Sequence, residues 1–184
     1  MKLTLPLTLT LLRVAAIPVV LLLFYWPVPY ARQAATVLYG LAAFTDWLDG
    51  YLARRWDQTS AFGAFLDPVA DKLLVAVCLV MLLRDDPSGV LAVLVAIIIG
   101  REITVSALRE WMAELGRRAS VAVSWIGKWK TVFQMTAIGM MLWEQPTFGI
   151  DWYGLGFGLL FVAAALTLWS MAAYLKSAWP LMRG

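Results

Sequence analysis

Long apolar runs alternate with short polar breaks along this chain. The run LPLTLTLLRVAAIPVVLLLFY ends at WPVPY, and later runs end at RDDPSG and EQPTFGID. A bilayer-crossing helix needs about 20 mostly apolar residues. On that rule the pattern predicts spans over 9–25, 33–53, 65–83, 89–108, 124–143 and 152–175. The breaks suit span ends, because proline removes a helical donor and the other two stretches concentrate charge and turn formers. Trp26, Trp143, Trp152 and Trp179 fall near predicted ends, where amphipathic rings favour the interface. The expected fold is all-α: a polytopic integral membrane protein of about six transmembrane helices. The length suits one domain over 1–184. The first run follows the opening residues with no cleavage-site pattern, so a retained span is expected rather than a signal peptide. No internal repeat or linker stands out.

Composition agrees with this reading and narrows the chemistry. The 184 residues are 62% hydrophobic and 15% charged, with a mean hydropathy of +0.77. Soluble domains carry about 25% charged residues. The net charge of +3 is spread over span ends and forms no soluble basic patch, so no nucleic-acid partner is expected. There is no histidine, which excludes Ser-His-Asp hydrolysis, histidine-ligated zinc and phosphatidyl transfer through a histidine nucleophile. Cys78 is the only cysteine and lies in LLVAVCLVMLL, so no internal disulfide forms and a small core residue is expected.

Charge also orients the chain. With the N-terminus inside and six spans, only Arg32 and Arg84 of the 15 basic residues fall outside. This positive-inside bias puts both termini on the cytoplasmic side.

Against that background the stretch TDWLDGYLARRWDQTSAFGAFLDPVADK, 45–72, is anomalous. Asp46, Asp49, Gly50 and Ala53 share one face of the second predicted helix, with Arg54 at its edge. Asp67 and Asp71 are i and i+4 and share a face of the third. A short polar connector makes the two helices neighbours, so four carboxylates converge near the cytoplasmic surface. Like charges ~4 Å apart repel by roughly 4 kcal/mol even at an effective dielectric of ~20. Arg54 and Lys72 do not balance four carboxylates, whereas divalent cations do. All-carboxylate ligation favours hard ions, Mg²⁺ or Mn²⁺, and a pair of bridged ions suits a phosphate substrate. Gly50, Ala53 and Gly63 leave these faces unobstructed for a bulky ligand, although small residues also serve plain helix packing. Intramembrane acids are functional candidates by default.

The spacing D-x2-D-G-x2-A-R-x8-G-x3-D-x3-D, from Asp46 to Asp71, closely resembles the signature of the CDP-alcohol phosphotransferases. That family has a six-helix membrane fold, is usually dimeric, and transfers a substituted phosphate from a CDP-linked donor to an alcohol, releasing CMP. The resemblance implies two divalent ions on Asp46, Asp49, Asp67 and Asp71, with Asp71 also the general base. It implies that Gly50, Arg54 and Ser60 contact the CDP part of the donor, with Ala53 and Gly63 beside it. Many relatives carry Pro-Asn early in the first helix, where this chain reads Pro6-Leu7. Thr10 and Arg13 are further candidate donor contacts in that helix, and both also suit an interfacial position.

A second informative stretch is GREITVSALREWMAELGRRASVAVSWIGKWK, 100–130. Arg101, Arg109, Arg117, Arg118, Lys128 and Lys130 make it unusually basic. By charge alone it reads first as a positive-inside flank touching anionic lipid. The pattern REI-x3-ALREWMAELG followed by SVAVSWIGKWKT is similar to the bacterial members of the family that join CDP-diacylglycerol to sn-glycerol 3-phosphate. That likeness makes Arg101, Arg109, Arg118, Lys128 and Lys130 the expected acceptor site, since guanidinium forks suit phosphate. It also implies a bacterial inner membrane location, membrane lipids as partners and a homodimer. Phosphatidylglycerol, inositol phosphate and serine are the rival acceptors. Glu102 either orients Arg101 or merely pairs with it. Glu110 and Glu114 are expected on a solvated face, and Asp57, Asp85, Asp86 and Asp151 as loop charges. A rival of another class is a cation channel or carrier with the aspartates as its pathway. It leaves the Gly-Ala-Arg spacing unexplained, and it favours acids at several depths rather than at one end.

Overall fold

The computed structural model describes residues 5–56, 61–114 and 125–182, with the side chains of 46–56 and 125–128 among those outside the description. Six helices follow one another: α1 (Leu5–Tyr25), α2 (Ala31–Trp56), α3 (Ala61–Asp85), α4 (Gly89–Glu114), α5 (Trp125–Trp143) and α6 (Trp152–Met182). The all-α expectation holds among the described residues, where each expected span falls on its own helix. Three stretches are long and apolar enough to cross a membrane by length and composition among the described residues: Leu7–Tyr25, Gly89–Glu114 and Trp152–Lys176. The helices between them are of similar length, but α2 and α3 carry the signature charges within their turns.

Several helices outrun the apolar runs that predicted them. α4 continues six residues beyond 108, and α6 continues to Met182. Hydropathy marks where lipid ends, whereas backbone hydrogen bonding continues wherever good helix formers such as those of REWMAE follow. At the other end α3 begins at Ala61, so Asp67 lies more than a turn inside the helix.

The core is a continuous apolar cluster contributed by all six helices, from Val20 and Phe24 of α1 to Leu160 and Ala164 of α6. Large apolar side chains such as Leu12, Leu41, Phe65, Ile103 and Trp169 point outward, as lipid contact requires. α5 and α6 pack most extensively. A Cβ built on Gly156 would lie 2.8 Å from Met141 Cγ and 2.9 Å from the Ala137 carbonyl oxygen, so the close approach needs glycine there. Tyr39 of α2 crosses to α5, where its ring lies against Gly139 and its hydroxyl donates to the Met135 carbonyl at 3.2 Å. α2 and α3 touch as expected, but among the described residues each packs more extensively on α1.

Three of the acidic residues expected as plain loop charges, Asp85, Asp86 and Asp151, are structural ties, and Asp57 lies outside the described residues. Arg32, at the start of α2, pairs with Asp85 at 2.6 Å and Glu144 at 2.7 Å, joining the ends of α3 and α5. Asp86 accepts from the Tyr153 hydroxyl at 2.6 Å. Asp151 accepts from Gly154 N at 2.9 Å and caps α6. The reason is geometric: each lies at a helix end, where a carboxylate meets unpaired donors or a neighbouring helix.

Candidate active site

Asp67 and Asp71 lie one turn apart on α3, both half-buried. Each meets a side chain of α1. Thr10 Oγ1 donates to Asp67 Oδ1 at 2.5 Å, and Arg13 Nη1 donates to Asp71 Oδ1 at 2.6 Å. Thr10 and Arg13 are themselves one turn apart and almost inaccessible, 1% and 2% exposed. The numbers rise together along both helices, so α1 and α3 run in the same direction. A guanidinium keeps its charge at any ordinary pH, so a buried Arg13 requires an anion, and Asp71 supplies one. Leu7 belongs to the same buried row as Thr10 and Arg13, so the position where many family members carry asparagine contributes apolar packing here.

Asp71 also faces the second half of the site. A cavity of about 280 Å³ opens between α3, α4, α5 and α6, and its lining includes Asp71, Arg101, Glu102, Arg109, Lys130 and Tyr174. Arg101 and Lys130 are each 5% exposed. They share one carboxylate: Glu102 Oε1 accepts from Arg101 Nη1 at 3.1 Å and from Lys130 Nζ at 2.5 Å. Glu102 therefore both orients Arg101 and pairs with it. Arg101 Nη2 donates to Ser170 at 3.1 Å. Arg109 Nη2 donates to the Tyr174 hydroxyl at 2.8 Å, and its guanidinium carbon lies 5.2 Å from that ring's centroid. With Lys72, the lining sets four cations against the carboxylates of Asp71 and Glu102. Among the described residues the surplus is positive, and such a cavity favours an anion.

The structure thus brings Asp71, Arg101, Arg109 and Lys130 to one cavity and sets Asp67 beside them on α3. Gly63 is buried in the first turn of α3. Asp46, Asp49, Gly50, Ala53 and Arg54 lie on the last turns of α2, and Lys128 on α5, with their side chains outside the description. Ser60 and Arg118 lie outside the described residues. Glu110 and Glu114 are exposed, as expected of a solvated face. Sequence reasoning did not single out Ser170, Tyr174 or Gln134. A signal existed in α6: Thr167, Ser170 and Tyr174 recur at i, i+3 and i+7 in a run that is otherwise apolar up to Lys176, and all three are buried.

The donor set bears on a metal. Among the described residues no three metal-type ligands come together, because the described part of the signature contributes two carboxylates. Both are oxygen donors oriented by a neighbouring hydroxyl or guanidinium, which fits a hard divalent cation and the outer contacts that steer its ligands.

Comparison with known proteins points the same way. The sequence model of the CDP-alcohol phosphatidyltransferase family matches residues 3–169. Proteins named CDP-diacylglycerol–glycerol-3-phosphate 3-phosphatidyltransferase from Shigella flexneri serotype 5b (strain 8401), Shigella boydii serotype 4 (strain Sb227) and Escherichia coli (strain K12) are each 53% identical to this chain over 178 residues. In each case the match covers 97% of this chain and 96% of the relative.

Proposed function

This chain belongs to the CDP-alcohol phosphatidyltransferase family, and on that premise we propose that it moves the phosphatidyl group of CDP-diacylglycerol to sn-glycerol 3-phosphate. The products are phosphatidylglycerophosphate and CMP. The observation that carries this reading is a single cavity lined by the signature carboxylate Asp71 and by Arg101, Arg109 and Lys130.

The chain's residues divide the work. Arg101, Arg109 and Lys130, joined by Arg118 and Lys128, hold the acceptor phosphate by charged hydrogen bonds. Asp71 takes the proton from the acceptor's terminal hydroxyl as that oxygen bonds to the phosphatidyl phosphorus. The pyrophosphate bond breaks, and its electron pair leaves with CMP. Gly50, Ala53 and Gly63 let the donor lie close to the backbone, while Arg54, Ser60 and Thr10 contact it. Thr10 does so from its place against Asp67, which it also steers. Asp46, Asp49, Asp67 and Asp71 would hold two divalent ions, Mg²⁺ or Mn²⁺, which supply charge neutralisation on the pyrophosphate when bound. Arg13 offsets the charge of Asp71 from the protein side.

The reading extends to the whole chain as one domain of a homodimer, seated among lipids of a bacterial inner membrane. The active site and both termini face the cytoplasm. A panel of acceptors tests it. Purified protein with CDP-diacylglycerol and Mg²⁺ should release CMP with glycerol 3-phosphate far faster than with serine, inositol phosphate, phosphatidylglycerol or glycerol. Preference for any of these four overturns the acceptor assignment, and Mn²⁺ in place of Mg²⁺ decides the metal. CMP release also separates the enzyme from a cation carrier, which would move metal across liposomes without consuming donor.

A further inference from the structure

We propose that Gln134 is a specificity-determining residue that reads the central, non-reacting hydroxyl of the acceptor; this rests on the glycerol 3-phosphate reading above. Gln134 lies on α5 one turn beyond Lys130 and lines the same cavity. It is 4% exposed, and its Oε1 is a buried polar atom with no hydrogen-bond partner among the described residues. Buried amide groups are normally satisfied, and an orphaned one beside a binding cavity points to a ligand.

The other lining groups show what that ligand part is. Lys72, Arg101, Arg109 and Lys130 are donors only, so they hold phosphate but do not accept from a hydroxyl. Glu102 is engaged by Arg101 and Lys130, and Asp71 by Arg13. The Tyr174 hydroxyl accepts from Arg109. A molecule whose phosphate takes the cations and whose reacting hydroxyl takes Asp71 has its middle carbon in between. Of the neutral lining side chains Thr131 and Gln134, Thr131 is already engaged, and Gln134 is the one whose buried oxygen lacks a partner among the described residues. A hydroxyl is donor and acceptor at once, so it satisfies the amide in either of its two orientations. The cavity, about 280 Å³, is at the small end for ligand sites, which run from ~300 to ~1,000 Å³. That size suits a three-carbon phosphate.

The test compares glycerol 3-phosphate with 3-hydroxypropyl phosphate, which lacks only the central hydroxyl. Wild-type protein should favour glycerol 3-phosphate by about tenfold or more in kcat/KM, because the analogue leaves a buried amide unmatched. In Gln134→Met, of similar length and apolar, that preference should fall to about onefold, through loss with glycerol 3-phosphate alone. The ratio within one preparation does not depend on how much protein is folded. Equal use of both substrates by the wild type overturns the proposal, as does an undiminished preference in Gln134→Met. Wild-type protein that uses neither substrate, while consuming CDP-diacylglycerol with another alcohol, overturns instead the function on which the proposal rests.

Discussion

Replacing Glu102 with glutamine removes the one carboxylate among the described residues that bonds both Arg101 and Lys130. Those side chains are 5% and 6% exposed, and the Glu102 side chain is about one-quarter exposed. Breaking a buried ion pair from one side costs about 3–5 kcal/mol, since the remaining charge stays buried without a partner. Glu102 is partly open to solvent, so the lower end, about 3 kcal/mol, applies. For a chain of 150–250 residues each kcal/mol moves Tm by about 2–4 °C, which gives a loss of about 6–12 °C. Cys78 provides the assay: it is free, buried and the only cysteine, so a thiol-reactive dye reports unfolding in detergent. Glycerol 3-phosphate should then stabilise Glu102→Gln more than the wild type, because a bound dianion replaces the missing negative charge between the two cations. A Tm within about 2 °C of the wild type would show that the cluster is not held by Glu102. Equal stabilisation by glycerol 3-phosphate in both proteins would place the phosphate elsewhere.

Three other perturbations separate the parts of the site and the fold. Thr10→Val removes the donor to Asp67 while keeping shape; a hydrogen bond to a charged group is worth about 1.5–3 kcal/mol, so kcat should fall about tenfold or more, measured as CMP release at saturating substrates, and an unchanged kcat refutes a role in steering Asp67. Arg109→Ala should cut kcat/KM for glycerol 3-phosphate about tenfold to a hundredfold while leaving the KM for CDP-diacylglycerol nearly unchanged; a defect confined to the donor contradicts the pocket. Gly156→Ala should cost about 1–3 kcal/mol by overpacking α6 against Met141 and Ala137, read as a lower Tm in the Cys78 assay, and an unaltered Tm refutes the close approach of α5 and α6.

The helices were legible because lipid imposes a length on every apolar run, and the breaks at WPVPY, RDDPSG and EQPTFGID carry their own turn chemistry. Their full extent was not, since Arg109 to Glu114 continue as helix after hydropathy has fallen. The pairing of Asp67 with Asp71 on one face followed from an i, i+4 spacing. Their partners Thr10 and Arg13 lie more than fifty residues away, and only the register of α1 against α3 brings them together. The cations at 101, 109 and 130 were visible as charge, but charge alone did not distinguish a pocket from a membrane flank. That distinction needed α6, a helix the basic segment does not touch in sequence, where Tyr174 lines the cavity and Ser170 holds Arg101. Asp85 and Asp86 read as loop charges because the sequence does not show Arg32 and Tyr153 arriving beside them.

If the signature carboxylates and the basic cavity form one site, that site joins a CDP-linked lipid to an anionic acceptor. The most direct measurement follows label from glycerol 3-phosphate into chloroform-soluble lipid alongside CMP release, using purified wild-type protein and Asp67→Asn with Mg²⁺ present. The wild type should give one labelled lipid per CMP, and Asp67→Asn should give neither product above background. CMP released by the wild type without labelled lipid, or full transfer by Asp67→Asn, would contradict a single joined site.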